Sequence, residues 1–157
     1  MKKSKKILLI IAGIFCVIFV MCFLLFRILN KYTTVLRINW EIELPQEGAK
    51  DIFGYSTPSF HGDGVRYHVI DYPVEKGGQR RQSTALKLEN IFLDAKNPTI
   101  EQVERVKEII EQIDVNDNMI PEWEKCKLIY LKEKDSSELF LLYLAETGTV
   151  YVVEDFR

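Results

Sequence analysis

Both histidines of the chain lie in one short stretch, His61-Gly62-Asp63-Gly64 followed by His68, with Asp71 just beyond. Imidazole nitrogens beside a carboxylate are a donor set for a divalent metal, and a histidine–carboxylate pair is also the usual equipment for acid–base transfer. His61, Asp63 and His68 are therefore the candidate binding residues. A plainer reading competes with this one: Gly-Asp-Gly is ordinary turn chemistry leading into a strand, with His68 a strand residue. The spacing matches no metal signature, so turn plus strand outweighs metal, and neither a metal nor another cofactor is expected.

Other reactive patterns are missing. The chain has no G-x-S-x-G, no phosphate-binding loop, no G-x-G-x-x-G and no C-x-x-C. Ser56 and Ser59 stand near His61, but serines are common in loops. The Asp114 to Asn118 stretch begins like a calcium loop, yet Met119 and Lys125 occupy the positions that need glycine and glutamate. Arg80 and Arg81 read as a solvated loop, and Trp40 and Trp123 as packing residues. The expectation is a protein without a catalytic set.

The elements around the histidines follow from periodicity. Leu36, Ile38, Trp40, Ile42 and Leu44 alternate with polar residues, which predicts a strand ended by Pro45. Gln46 to Gly64 holds five glycine or proline residues and reads as a loop carrying Ile52, Phe53, Tyr55 and Phe60. Val65 to Tyr72 reads as a second strand, and Glu75 to Gln82 as an exposed loop. A helix from Ser83 or Thr84 to about Lys96 shows Leu88, Ile91, Phe92 and Ala95 on one stripe. A second helix opens on the capping-box pair Thr99 and Gln102 and buries Ile100, Val103, Val106, Ile110 and Ile113. Strands at Lys125 to Lys132, Glu138 to Ala145 and Thr149 to Glu154 close the chain, the middle one apolar on both faces and the last two joined at Thr147-Gly148. The fold class is thus α+β: an antiparallel sheet of about five strands with two helices packed on one face.

Ahead of this domain lies a segment of different composition. Residues 7–26 are an unbroken apolar run of 20, preceded by Lys2, Lys3, Lys5 and Lys6. Twenty helical residues reach about 30 Å, the thickness of a bilayer's hydrocarbon core. Fifteen of them are Ile, Leu, Phe or Val, which favours insertion by roughly 5–9 kcal/mol. A cleaved signal would be shorter and would end in small residues, whereas Arg27-Ile28-Leu29-Asn30 follows here. Cys16 and Cys22 lack the small residues that precede a lipoprotein cysteine and read as apolar fillers. The expected organisation is a basic cytoplasmic N-terminus at 1–6, a transmembrane signal-anchor at 7–28 and a domain at 32–157. More lysine precedes the span than follows it, which puts the N-terminus in the cytoplasm and the domain outside.

Charge narrows the partners. Setting the four N-terminal lysines aside leaves 17 basic against 23 acidic residues, a balance of −6. Such a tail is repelled by nucleic acid and by anionic lipid headgroups. One cysteine in the tail, Cys126, excludes an internal disulfide there.

The anchor, the F-H-G-D-G turn at Phe60 to Gly64 and the closing L-F-L-L-Y-L…T-G-T-V-Y-V-V at Leu139 to Val153 resemble small uncharacterised single-pass proteins of Gram-positive bacteria. That resemblance implies an envelope location and no activity. Three functions are compatible with these features: a non-enzymatic module that binds a protein or envelope component through the 46–64 loop, an envelope hydrolase or metal protein using His61, Asp63 and His68, or an accessory subunit of a membrane complex.

Overall fold

A computed structural model describes residues 11, 13–24, 31–57, 63–73 and 79–157, with the side chains of 79–82 left aside. The chain divides into two units, Met1–Glu43 and Leu44–Arg157.

In the first unit, residues 13–24 form helix α1, and every one of them is exposed. Among the described residues no helix is long and apolar enough to cross a membrane. Residues 7–10, 12, 25 and 26 of the apolar run lie outside the described ones. Helix α2, Tyr32–Trp40, replaces the strand expected from Leu36 to Leu44. The alternation was real but subordinate: Tyr32, Leu36 and Trp40 also fall four apart, and these are buried while Ile38 is 65% exposed. Glu41, in the left-handed conformation, caps the helix by donating its N–H to the Arg37 carbonyl.

The second unit is an α+β domain built on a five-stranded antiparallel sheet, with β1 (Lys50–Ser56), β2 (Gly64–Asp71), β3 (Lys127–Lys132), β4 (Glu138–Leu144) and β5 (Thr149–Phe156) in the spatial order β1-β2-β5-β4-β3. Strand β1 corrects the loop expected over 46–64. Phe53 and Tyr55 alternate toward the core and hold the segment down despite its glycines. The fifth strand of the sheet is therefore β1, not the 36–44 segment. Strands β4 and β5 are interior, and every residue of β4 is buried, as an apolar run on both faces requires. Asp135 turns β3 into β4 by accepting the Ser137 N–H, and Gly148, at φ 75°, turns β4 into β5.

Two helices flank the sheet, α3 (Gln79–Ile91) and α4 (Ile100–Glu111). Helix α3 begins within the segment read as an exposed loop and ends earlier than expected. Helix α4 starts at Thr99 with both capping-box bonds formed, Thr99 Oγ1 accepting from the Gln102 N–H and Gln102 Oε1 from the Thr99 N–H. Ile100 is 81% exposed instead of buried, because at the first helical position it precedes the stripe that faces the sheet.

The helices do not share a face. Val106, Ile109 and Ile110 of α4 and Ile113 just after it pack with Val65, Tyr67 and Val69 of β2, Phe140 and Leu142 of β4, and Tyr151 and Val153 of β5. Phe92, directly after α3, stacks on Tyr143 at 4.9 Å. Tyr143 and Leu142 are neighbours on one strand, so their side chains point to opposite faces. Leu139, Leu141, Val150 and Val152, all fully buried, form the rest of that second face. A sheet apolar on both sides needs cover on both, which is why the expectation of two helices on one face fails.

Candidate functional site

Strand β2 carries His68, and Asp63 stands directly before it. Asp63 precedes β2 in phase with Val65 and Tyr67, on the α4 face, and is exposed. His68 is in phase with Arg66 and Ile70, on the other face. His61 lies outside the described residues. Among the described residues no group of three His, Cys, Asp or Glu is placed to hold a metal ion.

What faces His68 is Asp51. Its carboxylate oxygens lie 3.3 and 3.4 Å from His68 Nδ1. A β-bulge makes this contact. Asp51 pairs with Ile70 and Phe53 with Val69, so Ile52 is an extra residue that turns Asp51 toward the His68 face while Phe53 stays in the core. Gly54 is the register partner of His68, and a Cβ there would stand 2.9 Å from His68 Cε1. The imidazole thus lies against bare backbone, a close approach that only glycine permits. Glycine inside the I-F-G-Y stretch was the sequence signal for it.

The most developed polar assembly is on the α4 face, and periodicity alone does not reveal it. Glu138 of β4 and Asp155 of β5 are direct cross-strand partners. Like charges so placed repel, and both side chains are largely buried. Arg105 of α4 bridges them: Nε donates to Glu138 Oε2 at 3.2 Å, and an Nη donates to Asp155 Oδ2. Its other Nη reaches Glu108 Oε2 at 3.4 Å. Tyr130 and Lys132 donate to the second oxygen of Glu138 at 2.7 and 3.0 Å, and Arg157 donates to Asp155 at 2.9 Å.

Titration follows from these bonds. Burial alone would raise the Glu138 carboxyl, but the hydrogen bonds from Tyr130, Lys132 and Arg105 outweigh it and hold the group below its ordinary range. Burial, then the bond to Glu138, pushes Tyr130 up to about 12. Burial opposes the charge of Arg105, yet its carboxylate partners hold it above its usual value. Cys126, buried in the core beside α4, is pushed up to about 12 by burial and then by Glu122, so its thiol stays protonated and inert.

Beside this network opens a cleft of about 650 Å³. Asp63 and Val65 of the β2 side, Asp155 and Arg157 of the β5 side, and Arg105 and Gln112 of the α4 side line it. Thr57, just after β1, also lines it and is fastened to β2 by its hydroxyl, which accepts the Val65 N–H at 2.9 Å. Three residues of the glycine-rich stretch, Thr57, Asp63 and Gly64, therefore edge the cleft. Mixed donors and acceptors surround apolar Val65 and Ile109; among the described residues of the lining none pairs a nucleophile with a base. Comparison of the chain with family models, curated proteins and solved structures yields no match.

Proposed function

We propose that this protein is a non-enzymatic binding module, tethered outside the cell membrane by residues 7–28, that grips an envelope protein in the cleft beside α4. The observation that carries the reading is the cleft itself: it is large enough for side chains of a partner, lined by polar groups, and its walls are fixed by a sheet and a capped helix. The tether rests on the 20-residue apolar run and on α1, where Phe15 and Phe19 are 70% and 73% exposed. A helix apolar all round and exposed at each of its described residues is suited to lipid.

The test is crosslinking and co-purification of the tagged full-length chain from its native membrane. Gln112→Arg, which narrows the cleft and adds charge, abolishes capture with the circular dichroism unchanged. A partner kept by Gln112→Arg but lost when residues 7–26 are exchanged for an unrelated span makes the chain an accessory subunit recognised through its membrane segment. A phosphatase reporter fused after Arg157 is active if the domain is exported, and its silence reverses the topology.

A second reading has the Asp51–His68 contact in its favour. A carboxylate that holds Nδ1 fixes the orientation of an imidazole, as the histidine of a hydrolase is fixed. Wild-type protein that hydrolyses a chromogenic ester no faster than His68→Ala removes that reading.

A further inference from the structure

The sheet ends in two edge strands, β1 and β3, and the two differ. A bulge at Ile52 breaks the register of β1, a device that spoils an edge for further pairing. Strand β3 runs from Lys127 to Lys132 against β4 without a break. We propose that β3 pairs antiparallel with β3 of a second copy of this chain, about a two-fold axis at Leu131, so that the two sheets become one. No residue of β3 lines the cleft, so this surface is separate from it.

Backbone direction selects the register. Glu133 donates its N–H to the Ser137 carbonyl at 2.9 Å, toward β4, while Leu128 donates outward to the Lys96 carbonyl at 2.8 Å. Alternation along the strand then turns Lys127, Ile129 and Leu131 to β4, and Leu128, Tyr130 and Lys132 to the edge. The segment at Lys96 occupies the edge at Leu128. What is left is the N–H and C=O of Tyr130 and of Lys132, which have no hydrogen-bond partner among the described residues. These groups are self-complementary in one antiparallel register. Tyr130 lies opposite Lys132 of the second copy and Lys132 opposite its Tyr130, and four hydrogen bonds use every open group. A shift of two residues one way calls on Leu128, already bonded to Lys96, and a shift the other way on Lys134, which lies in the turn. Side chains agree with this pairing. Leu131, 37% exposed, meets its own copy at the two-fold. Lysines usually guard an edge against pairing, but here Lys132 faces Tyr130 and no lysine of the strand stands directly opposite another. The interface is isologous and small, so the dimer is weak and depends on concentration.

The two-fold makes the Leu131 residues a non-hydrogen-bonded pair with Cα atoms about 4.5 Å apart, within the reach of a disulfide. The test oxidises the full-length chain, carrying Cys16→Ala and Cys22→Ala, with copper phenanthroline in its native membrane and reads a non-reducing gel. Leu131→Cys yields a disulfide-linked dimer. Ile129→Cys, on the same face but opposite Glu133 of the second copy, yields about a tenth as much or less, because the two cysteines stand several residues apart along the strands. Lys132→Pro, added to Leu131→Cys, removes an N–H that points outward, which an edge strand tolerates. By symmetry it deletes two of the four bonds, and the dimer falls about tenfold with the circular dichroism of the purified protein unchanged. Where Lys132→Pro alters the circular dichroism, the ratio of Leu131→Cys to Ile129→Cys decides alone. Equal dimer from those two variants is random collision and overturns the proposal. So does no dimer from Leu131→Cys, or one that a folded Lys132→Pro leaves intact. Leu131→Cys joined to a different protein assigns the edge to a foreign strand and overturns it too.

Discussion

Strand β2 separates two polar assemblies that differ in what supports them. On one face, Arg105 reaches from a helix to join two strands, and each buried carboxylate beneath it has at least two donors. On the other, His68 meets the carboxylate of Asp51, which is 45% exposed on a strand at the sheet edge. The first assembly resolves an electrostatic conflict within the fold. The second is a local contact made by a bulge and a glycine.

That contrast predicts unequal costs. Arg105→Ala leaves Glu138 and Asp155 facing each other without their bridge, and urea unfolding should show a loss of about 3 kcal/mol. A loss under 1 kcal/mol would mean that Lys132 and Arg157 suffice and the two assemblies are alike. Gly54→Ala comes next. Its Cβ presses on the His68 ring, and the expected cost is about 1–2 kcal/mol. In a His68→Ala background the same change should be close to neutral, and a double-mutant cycle measures the difference.

Acid titration sharpens the comparison further. The folded-state pKa of Glu138 lies below its ordinary 4.5, so its contribution is fully present above 4.5 and lost as pH falls through the folded value. Stability measured from pH 6 to pH 3 should decline, and Glu138→Gln should flatten that limb from a lower starting stability. Asp51→Asn is the smallest effect, about 0.5 kcal/mol or less in the same urea measurement, as befits an exposed partner.

Much of the domain is legible in the residues because it follows local rules. The capping box at Thr99, the buried run from Glu138 to Leu144 and the Thr147-Gly148 turn each depend on neighbours a few positions away. The segment from Tyr32 to Leu44 was misread because its apolar residues satisfy two periods at once, and only burial discriminates them. Strand β1 was obscured by Gly54, which reads as a breaker until His68 is seen lying over it. The site was less legible still. Nothing in the spacing of Arg105, Glu138 and Asp155, drawn from one helix and two strands, announces that they meet.

The sequence by itself determined the apolar N-terminal run, the acidic balance, the α+β class and the start of α4, because these depend on composition and on contacts within a turn or two. Tertiary structure alone decided that Asp63 and His68 face opposite ways, that Asp51 is the histidine's partner, and that a cleft opens beside Arg105. The physical reason is that side chains alternate across a strand: a single inserted residue or a choice of face reassigns which charges meet, and that choice is made by the packing of distant segments.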